Sequence, residues 1–140
     1  RHIAVFDMPK LGDTPNAQAG GPVAIAAANL YGDSYNAALR KRVEALRRNP
    51  LFRAKIYYVD TYTFLADVVA TVNAGGTYTP DFFVPGPPVE IDNVKDEGLV
   101  YFQTNGTFPS GYLFWDDVHP TTQGHQMVAG LLLRALNEGR

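Results

Sequence analysis

The apolar positions of this chain change period from one segment to the next, and the period assigns the elements. Ile3 to Phe6 is a compact apolar run with β-branched residues. It predicts a short buried strand that ends at Asp7. Pro9, Gly12 and Pro15 then mark a loop. Residues 23–30 are alanine-rich, which favours helix. Gly32-Asp33-Ser34 interrupts that pattern. Asp33 or Ser34 is the expected N-cap of a helix from about Tyr35 to Arg48, with Leu39, Val43 and Leu46 on one face. Asn49-Pro50 ends it. Ala54 to Val59 predicts the clearest strand, with Asp60 at its C-terminal end. Thr61 can cap a following helix that buries Tyr62, Leu65, Val69 and Val72 and stops at Gly75-Gly76.

The stretch 74–114 breaks the pattern. It holds Pro80, Pro85, Pro87, Pro88 and Pro109, half of the chain's 10 prolines, and many aromatics. One short strand, Leu99 to Phe102, is expected inside it. A loop this long in a compact domain serves as a lid or binding segment, or is partly disordered. A last helix from about Thr122 to Leu136 is expected to bury Met127, Val128, Leu131, Leu132 and Leu136, and to fray into Asn137-Glu138-Gly139-Arg140. The order strand, helix, strand, helix, loop, helix is that of βαβ units and a parallel sheet covered on both faces, an α/β class. Two strong strands are few for a doubly wound sheet. The chain also opens on Arg1 and enters an apolar run at once. Both features point to strands carried by an upstream segment.

Composition narrows the chemistry. The length of 140 residues is one domain's worth of chain. The formal net charge is −2, which is not the footprint of a general nucleic-acid binder. Seven of the 12 basic residues lie at Arg40, Lys41, Arg42, Arg47, Arg48, Arg53 and Lys55; against the acidic balance they read as a solvated helix face. There is no cysteine, which excludes disulfides, thiolate metal sites and a cysteine nucleophile. No apolar run approaches a membrane span, and no signal peptide is visible. Asn105-Gly106-Thr107 matches a glycosylation acceptor, which carries little weight without a secretory context.

One segment carries chemistry: Asp116-Asp117-Val118-His119-Pro120-Thr121. An Asp three residues before a His can fold back in a turn, accept from the imidazole Nδ1–H and leave Nε2 as a general base. The spacing alone equally suits a capping turn with a surface histidine. Asp116, Asp117, His119 and His125 lack the spacing of a metal site, so no metal is assigned, and His125 reads as a polar residue of the last helix. Phe82, Phe83, Tyr101, Phe102, Tyr112, Phe114 and Trp115 either line an acyl pocket beside His119 or anchor the long loop; both readings stand.

Phe114-Trp115-Asp116-Asp117-Val118-His119-Pro120-Thr121-Thr122 resembles the C-terminal block of the GDSL lipases/esterases, the SGNH hydrolase superfamily. Pro9 to Pro15 is similar to that family's P-x-L-G-x-T-P segment, Tyr35-Asn36-Ala37-Ala38-Leu39 to its Y/F-N-x-x-L helix start, and Val59-Asp60 to its V-D-x-Y/F strand end. These landmarks run in family order over essentially the whole chain, nearest to the bacterial phospholipase/thermolabile-haemolysin-like branch. The resemblance implies a three-layer α/β/α, flavodoxin-like fold with a parallel sheet, here its C-terminal part as a single domain over 1–140. It makes Asp116 the triad acid and His119 the general base of a Ser–His–Asp ester hydrolase. It implies a lipid or other carboxylic ester as substrate, no cofactor, and a secreted or cell-envelope setting.

The family's oxyanion G-x-N-D block is not found in the chain. The nucleophilic Ser and the oxyanion donors are therefore expected on a preceding segment or on a second polypeptide, and the isolated chain is expected to be inactive. Gly32-Asp33-Ser34 spells G-D-S, but the residues after it match the mid-protein helix start, and the alanine-rich residues before it are not a strand entering a tight turn. Too few residues lie between Ser34 and His119 to hold the intervening blocks. Two alternatives to the triad-supplying reading remain: a self-contained small hydrolase that uses Ser34, and an inactive binding or assembly domain of the same fold.

Overall fold

A computed structural model describes residues 1–139 of the protein; Arg140 lies outside the described residues. Strand β1 (His2–Phe6) pairs in parallel with β2 (Lys55–Val59), with His2 opposite Lys55 and Phe6 opposite Val59. A parallel pair needs a crossover. Here it runs through a 3-10 turn (Leu11–Asp13), α1 (Pro15–Ala19) and α2 (Gly21–Arg48). Strand alternation turns Tyr57 and Val59 to one face, where they pack on Leu131, Leu132 and Ala135 of α5 (Thr122–Glu138). Tyr58 turns to the other face, where the Arg40 guanidinium of α2 lies 4.6 Å from its ring centre. The strand pair thus sits between α2 and α5, an α/β arrangement of three layers.

The first strand forms where expected, but it is not buried: Ile3 and Phe6 are each 41% exposed. Among the described residues β1 has one sheet neighbour, which leaves its other edge unpaired, and Ile3 and Phe6, three positions apart, point to opposite faces of the pair.

The predicted break at Gly32-Asp33-Ser34 does not occur. Helix α2 runs unbroken for 28 residues, its N-cap is Gly20, and Asp33 and Ser34 are interior positions. The polar and small residues inside it hold the loop after β1. Asn29, Gly32 and Asn36 fall on one face at spacings of three and four. Asn29 Oδ1 accepts from Gly12 N–H at 3.1 Å. Asn36 accepts from Met8 N–H and donates to Met8 O, each at 2.8 Å. Tertiary bonds of this kind outweigh the weak helix propensity of Asn and Gly. On the expected apolar face Val43 is buried and Leu39 half-buried, but Leu46 is 40% exposed.

Helix α3 (Thr61–Asn73) is capped by Asp60, which accepts from Thr63 N–H at 2.9 Å, rather than by Thr61. Thr61 is instead bound to Asp7. Leu65 and Val69 are buried as expected, joined by Phe64 and Val68, while Tyr62 and Val72 are half-buried. The 74–114 segment is not a detached lid. Its Val89, Ile91, Leu113 and Phe114 form one core with α3 and Met127. Tyr78 and Ile91 exchange backbone hydrogen bonds of 2.8 and 2.9 Å. Inside the segment, Leu99 to Phe102 is helical, part of α4 (Gly98–Asn105), and not a strand. In α5, Met127 is fully buried and Val128, Leu131 and Leu132 half-buried; Leu136 has turned out to solvent.

Candidate active site

The site lies on the short loop between the core residue Phe114 and the start of α5. The loop is tied at both ends. Trp115 N–H donates to His119 O at 2.7 Å, closing residues 115–119 on themselves. Thr121 donates through its N–H to Leu113 O at 2.9 Å and through Oγ1 to Tyr112 O at 2.7 Å. Its Oγ1 also caps α5 by accepting from Gly124 N–H. Two neighbours hold the outside: Leu99 N–H donates to Trp115 O at 2.7 Å, and Asn16 N–H to Asp117 O at 2.9 Å. Helix α1, which follows the loop after β1, is thereby joined to the loop that carries the chemistry.

Within this frame the structure brings Asp116 and His119 together. His119 Nδ1–H donates to Asp116 Oδ2 at 2.9 Å and lies 3.1 Å from Oδ1. Asp116 Oδ1 also accepts from the backbone N–H groups of His119 at 2.7 Å and Val118 at 2.9 Å. These two backbone donors, His119 first, and then the imidazole, hold the Asp116 carboxyl down at about 2. A carboxylate can only accept, so Nδ1 carries the proton and Nε2 is the basic nitrogen. The His119 side chain is 75% exposed, and Nε2 has no partner among the described residues.

Ser34 is not part of this arrangement. It is exposed on α2, and neither it nor Ser110 hydrogen-bonds to His119 among the described residues. His125 lies on α5 and donates from Nδ1 to Thr121 O at 2.9 Å. No group of three or more His, Asp or Glu able to hold a metal lies among the described residues.

The aromatics divide by role. Phe114 is core, and Phe82 packs against it from the rim. Tyr101 stacks at a tilt on Tyr112, and Phe83 is 73% exposed. Phe102 and Trp115 join Phe108, outside the expected set, in a triangle with ring centres 5.1–6.2 Å apart. That triangle borders a recess of about 250 Å³ beside the Asp116–His119 loop.

The pattern of the sequence alone missed a second polar centre, at the C-terminal end of β1. The Asp7 side chain is fully buried. Its Oδ1 accepts from Thr61 N–H, Thr61 Oγ1 and Tyr62 N–H at 2.6, 2.8 and 3.0 Å. Its Oδ2 accepts from Tyr58 OH at 3.2 Å and lies 3.5 Å from Arg40. Burial and this carboxylate push the Tyr58 hydroxyl up to about 12. The signal available was a charged residue closing an apolar strand. The basic run is partly structural too: Arg40 bridges Asp7 and Asp60, and Arg47 donates to Ile56 O at 2.9 Å. No helix among the described residues is long and apolar enough to cross a membrane.

A comparison with curated proteins gives no match. The model of the GDSL-like lipase/acylhydrolase family matches residues 1–132, and the chain belongs to that family.

Proposed function

We propose that the protein supplies the acid–base half of a carboxylic ester hydrolase, with His119 as general base and Asp116 as the residue that orients it. Family membership supports lipase/acylhydrolase chemistry in general. The observation that carries the specific reading is the His119–Asp116 pair, with Nδ1–H held by a carboxylate and Nε2 exposed. In the first half-reaction a serine Oγ attacks the ester carbonyl as its proton passes to Nε2. The imidazolium formed is stabilised by Asp116, which stays ionised. Nε2–H then protonates the leaving alkoxide as its bond to the acyl carbon breaks. Water repeats the cycle on the acyl-serine and frees the acid. No metal or cofactor enters these steps.

The nucleophile is assigned to a serine outside these 140 residues, on a preceding segment or a second polypeptide. Two observations support that: among the described residues neither Ser34 nor Ser110 hydrogen-bonds to His119, and β1 has one sheet neighbour, which leaves its other edge open to a further strand. A bacterial phospholipase-like enzyme, secreted or in the cell envelope, is the branch and setting this reading favours.

The test is labelling with a fluorophosphonate followed by peptide mass spectrometry, run on the protein together with its serine-bearing segment and beside ester hydrolysis by the His119→Ala variant of that same assembly. The expected result is a labelled serine on a co-purifying or upstream segment, and a loss of roughly 10³-fold or more in the variant. Label at Ser34 would establish the self-contained hydrolase instead. Absence of label together with absence of ester hydrolysis in the wild type would leave an inactive domain of the same fold, and unchanged hydrolysis in the variant would remove His119 from the mechanism.

A further inference from the structure

Helix α2 carries an uncharged outer face over its first four turns. Gly32, Asn36 and Val43 are its buried positions and turn inward. Leu30 lies about 200° around the helix from Gly32 and so points the other way. Val23, Ala27, Leu30, Ser34 and Ala38 follow one another on that outer side at spacings of three and four. All five are exposed, Val23 at 82% and Leu30 at 69%, with Tyr31 beside them at 62%. Asp33 is the only charged residue from Gly21 to Leu39, and it hydrogen-bonds to the Tyr62 hydroxyl of α3, on the flank of α2. The outer line continues through Lys41 and Arg48, so charge begins on it only after Ala38. A helix that faces water carries polar residues on its outer side; one that is apolar or small there as well as inside is covered.

We propose that a second copy of this chain covers the face, with the two α2 helices packed antiparallel about a twofold axis between Leu30 and Tyr31. The proposal is independent of the ester-hydrolase reading. Completion of the sheet does not cover this face. A strand added at the open edge of β1 extends the sheet sideways, and its helices then lie beside α2, not over its outer side.

The face is complementary to itself in that register. Antiparallel pairing about the axis sets Val23 against the partner's Ala38, Ala27 against the partner's Ser34, and Leu30 against the partner's Tyr31. Val23 meets a small residue, which lets the helices approach, and the larger side chains gather at the centre. Lys41 then falls opposite the partner's Gly20, the residue before α2 begins, so the charges start where the partner helix stops. Parallel pairing would instead set Lys41 against Lys41 and Arg48 against Arg48, which repel. From Val23 to Ala38 the helix is about 24 Å long and about 10 Å across. Two such faces bury on the order of 1,000 Å², the area at which a specific interface begins, so the dimer is a weak one with a Kd on the order of 10 μM.

The experiment is sedimentation velocity of the whole chain over a concentration series. The expected result is a shift from 15.4 kDa to twice that mass with rising concentration. Leu30→Glu is expected to weaken the dimer at least tenfold. Leu30 is exposed, so this variant should melt like the wild type, and Val100→Glu, an exposed charge of the same sign on α4, should dimerise like the wild type. The register is read separately. The chain has no cysteine. Val23→Cys and Ala38→Cys, mixed and oxidised, should give mainly the disulfide between position 23 of one copy and position 38 of the other. A single 15.4 kDa species up to about 500 μM, far above the Kd that such an area implies, would overturn the proposal. So would a dimer that Leu30→Glu leaves intact, or one that Val100→Glu weakens equally. Disulfides formed mainly between like positions would overturn the antiparallel arrangement. A wild type that stays monomeric, but binds its serine-bearing segment in a way that Leu30→Glu abolishes, would give the face to that segment and end the second-copy proposal.

Discussion

Asp116 receives both the backbone N–H and the imidazole N–H of His119, at 2.7 and 2.9 Å on its two oxygens. The first bond fixes where the residue sits and the second fixes its tautomer. The same donors, with Val118 N–H, lower the carboxyl from 3.8 to about 2. Carbon-13 NMR of the Asp116 side chain should therefore show a midpoint of about 2. Because the folded value lies below the unfolded one, the carboxylate helps the fold above 3.8, and that help is lost as pH falls toward 2. Asp116→Asn should flatten the acid limb of stability in that window. In hydrolysis it should cost about 10⁴-fold, as loss of the orienting carboxylate does in serine proteases. A variant with wild-type turnover would remove Asp116 from the mechanism.

Asp7 is the polar keystone of the other end of the sheet. Its Oδ1 accepts two backbone N–H groups at the start of α3 as well as Thr61 Oγ1. Asp7→Ala would strand those donors in a buried place. The expected cost is about 3–5 kcal/mol, read as a lower urea midpoint. Asp7→Asn keeps one acceptor oxygen and should lose less. Equal losses in the two variants would mean that side-chain volume, and not hydrogen bonding, decides the site.

Tyr58 reports the same centre from the alkaline side. Burial first, and then the Asp7 charge, raise its hydroxyl from 10.0 to about 12. A raised value means the folded state keeps a proton that the unfolded state has released. Stability from this group is therefore whole below pH 10.0 and is lost as pH rises through about 12. Ultraviolet titration should show one tyrosine ionising near the top of that range, and Tyr58→Phe should remove that step. Persistence of the step in the variant would assign it to another tyrosine.

How much of this was legible depended on the range of each interaction. The Asp116–His119 pair was readable because its partners lie three residues apart. Strand β2 and helix α5 were readable because Ile56 to Val59 and Met127 to Leu132 carry their own period. Helix α4 was misread because Val100, Tyr101 and Phe102 are good strand formers, and what holds the segment helical is non-local: Leu99 N–H is bound by Trp115 O. Asp33 and Ser34 were misread as caps for a related reason. Asn36 and Asn29, on either side of that stretch, are bound to Met8 and Gly12 across the fold. Asp7 meets Thr61 from 54 positions away, and no local pattern carries that. The family landmarks Asn36 and Asp60 turn out to clamp a loop and cap a helix.

Two glycines separate close approach from mere propensity. A Cβ on Gly98 would stand 2.5 Å from Phe114 O and 3.0 Å from Trp115 Cα, both backbone atoms of the segment entering the His119 loop. Gly98→Ala must therefore push α4 off that loop, at a cost of about 1–3 kcal/mol. Hydrolysis should fall with it, because the displaced residues lead directly into Asp116. Gly32, the first letter of the literal G-D-S, is the opposite case. A Cβ there meets only Pro9 O at 3.8 Å, an ordinary contact, inside a continuous helix. Gly32→Ala should stabilise the protein by about 1 kcal/mol through helix propensity and leave hydrolysis unchanged. Thermal melts of the two variants, read beside ester turnover in the presence of the serine-bearing segment, check both expectations. If Gly32→Ala abolished turnover without loss of stability, Gly32-Asp33-Ser34 would be part of the active site after all. If Gly98→Ala melted like the wild type, the contact between α4 and the His119 loop would be looser than its geometry requires.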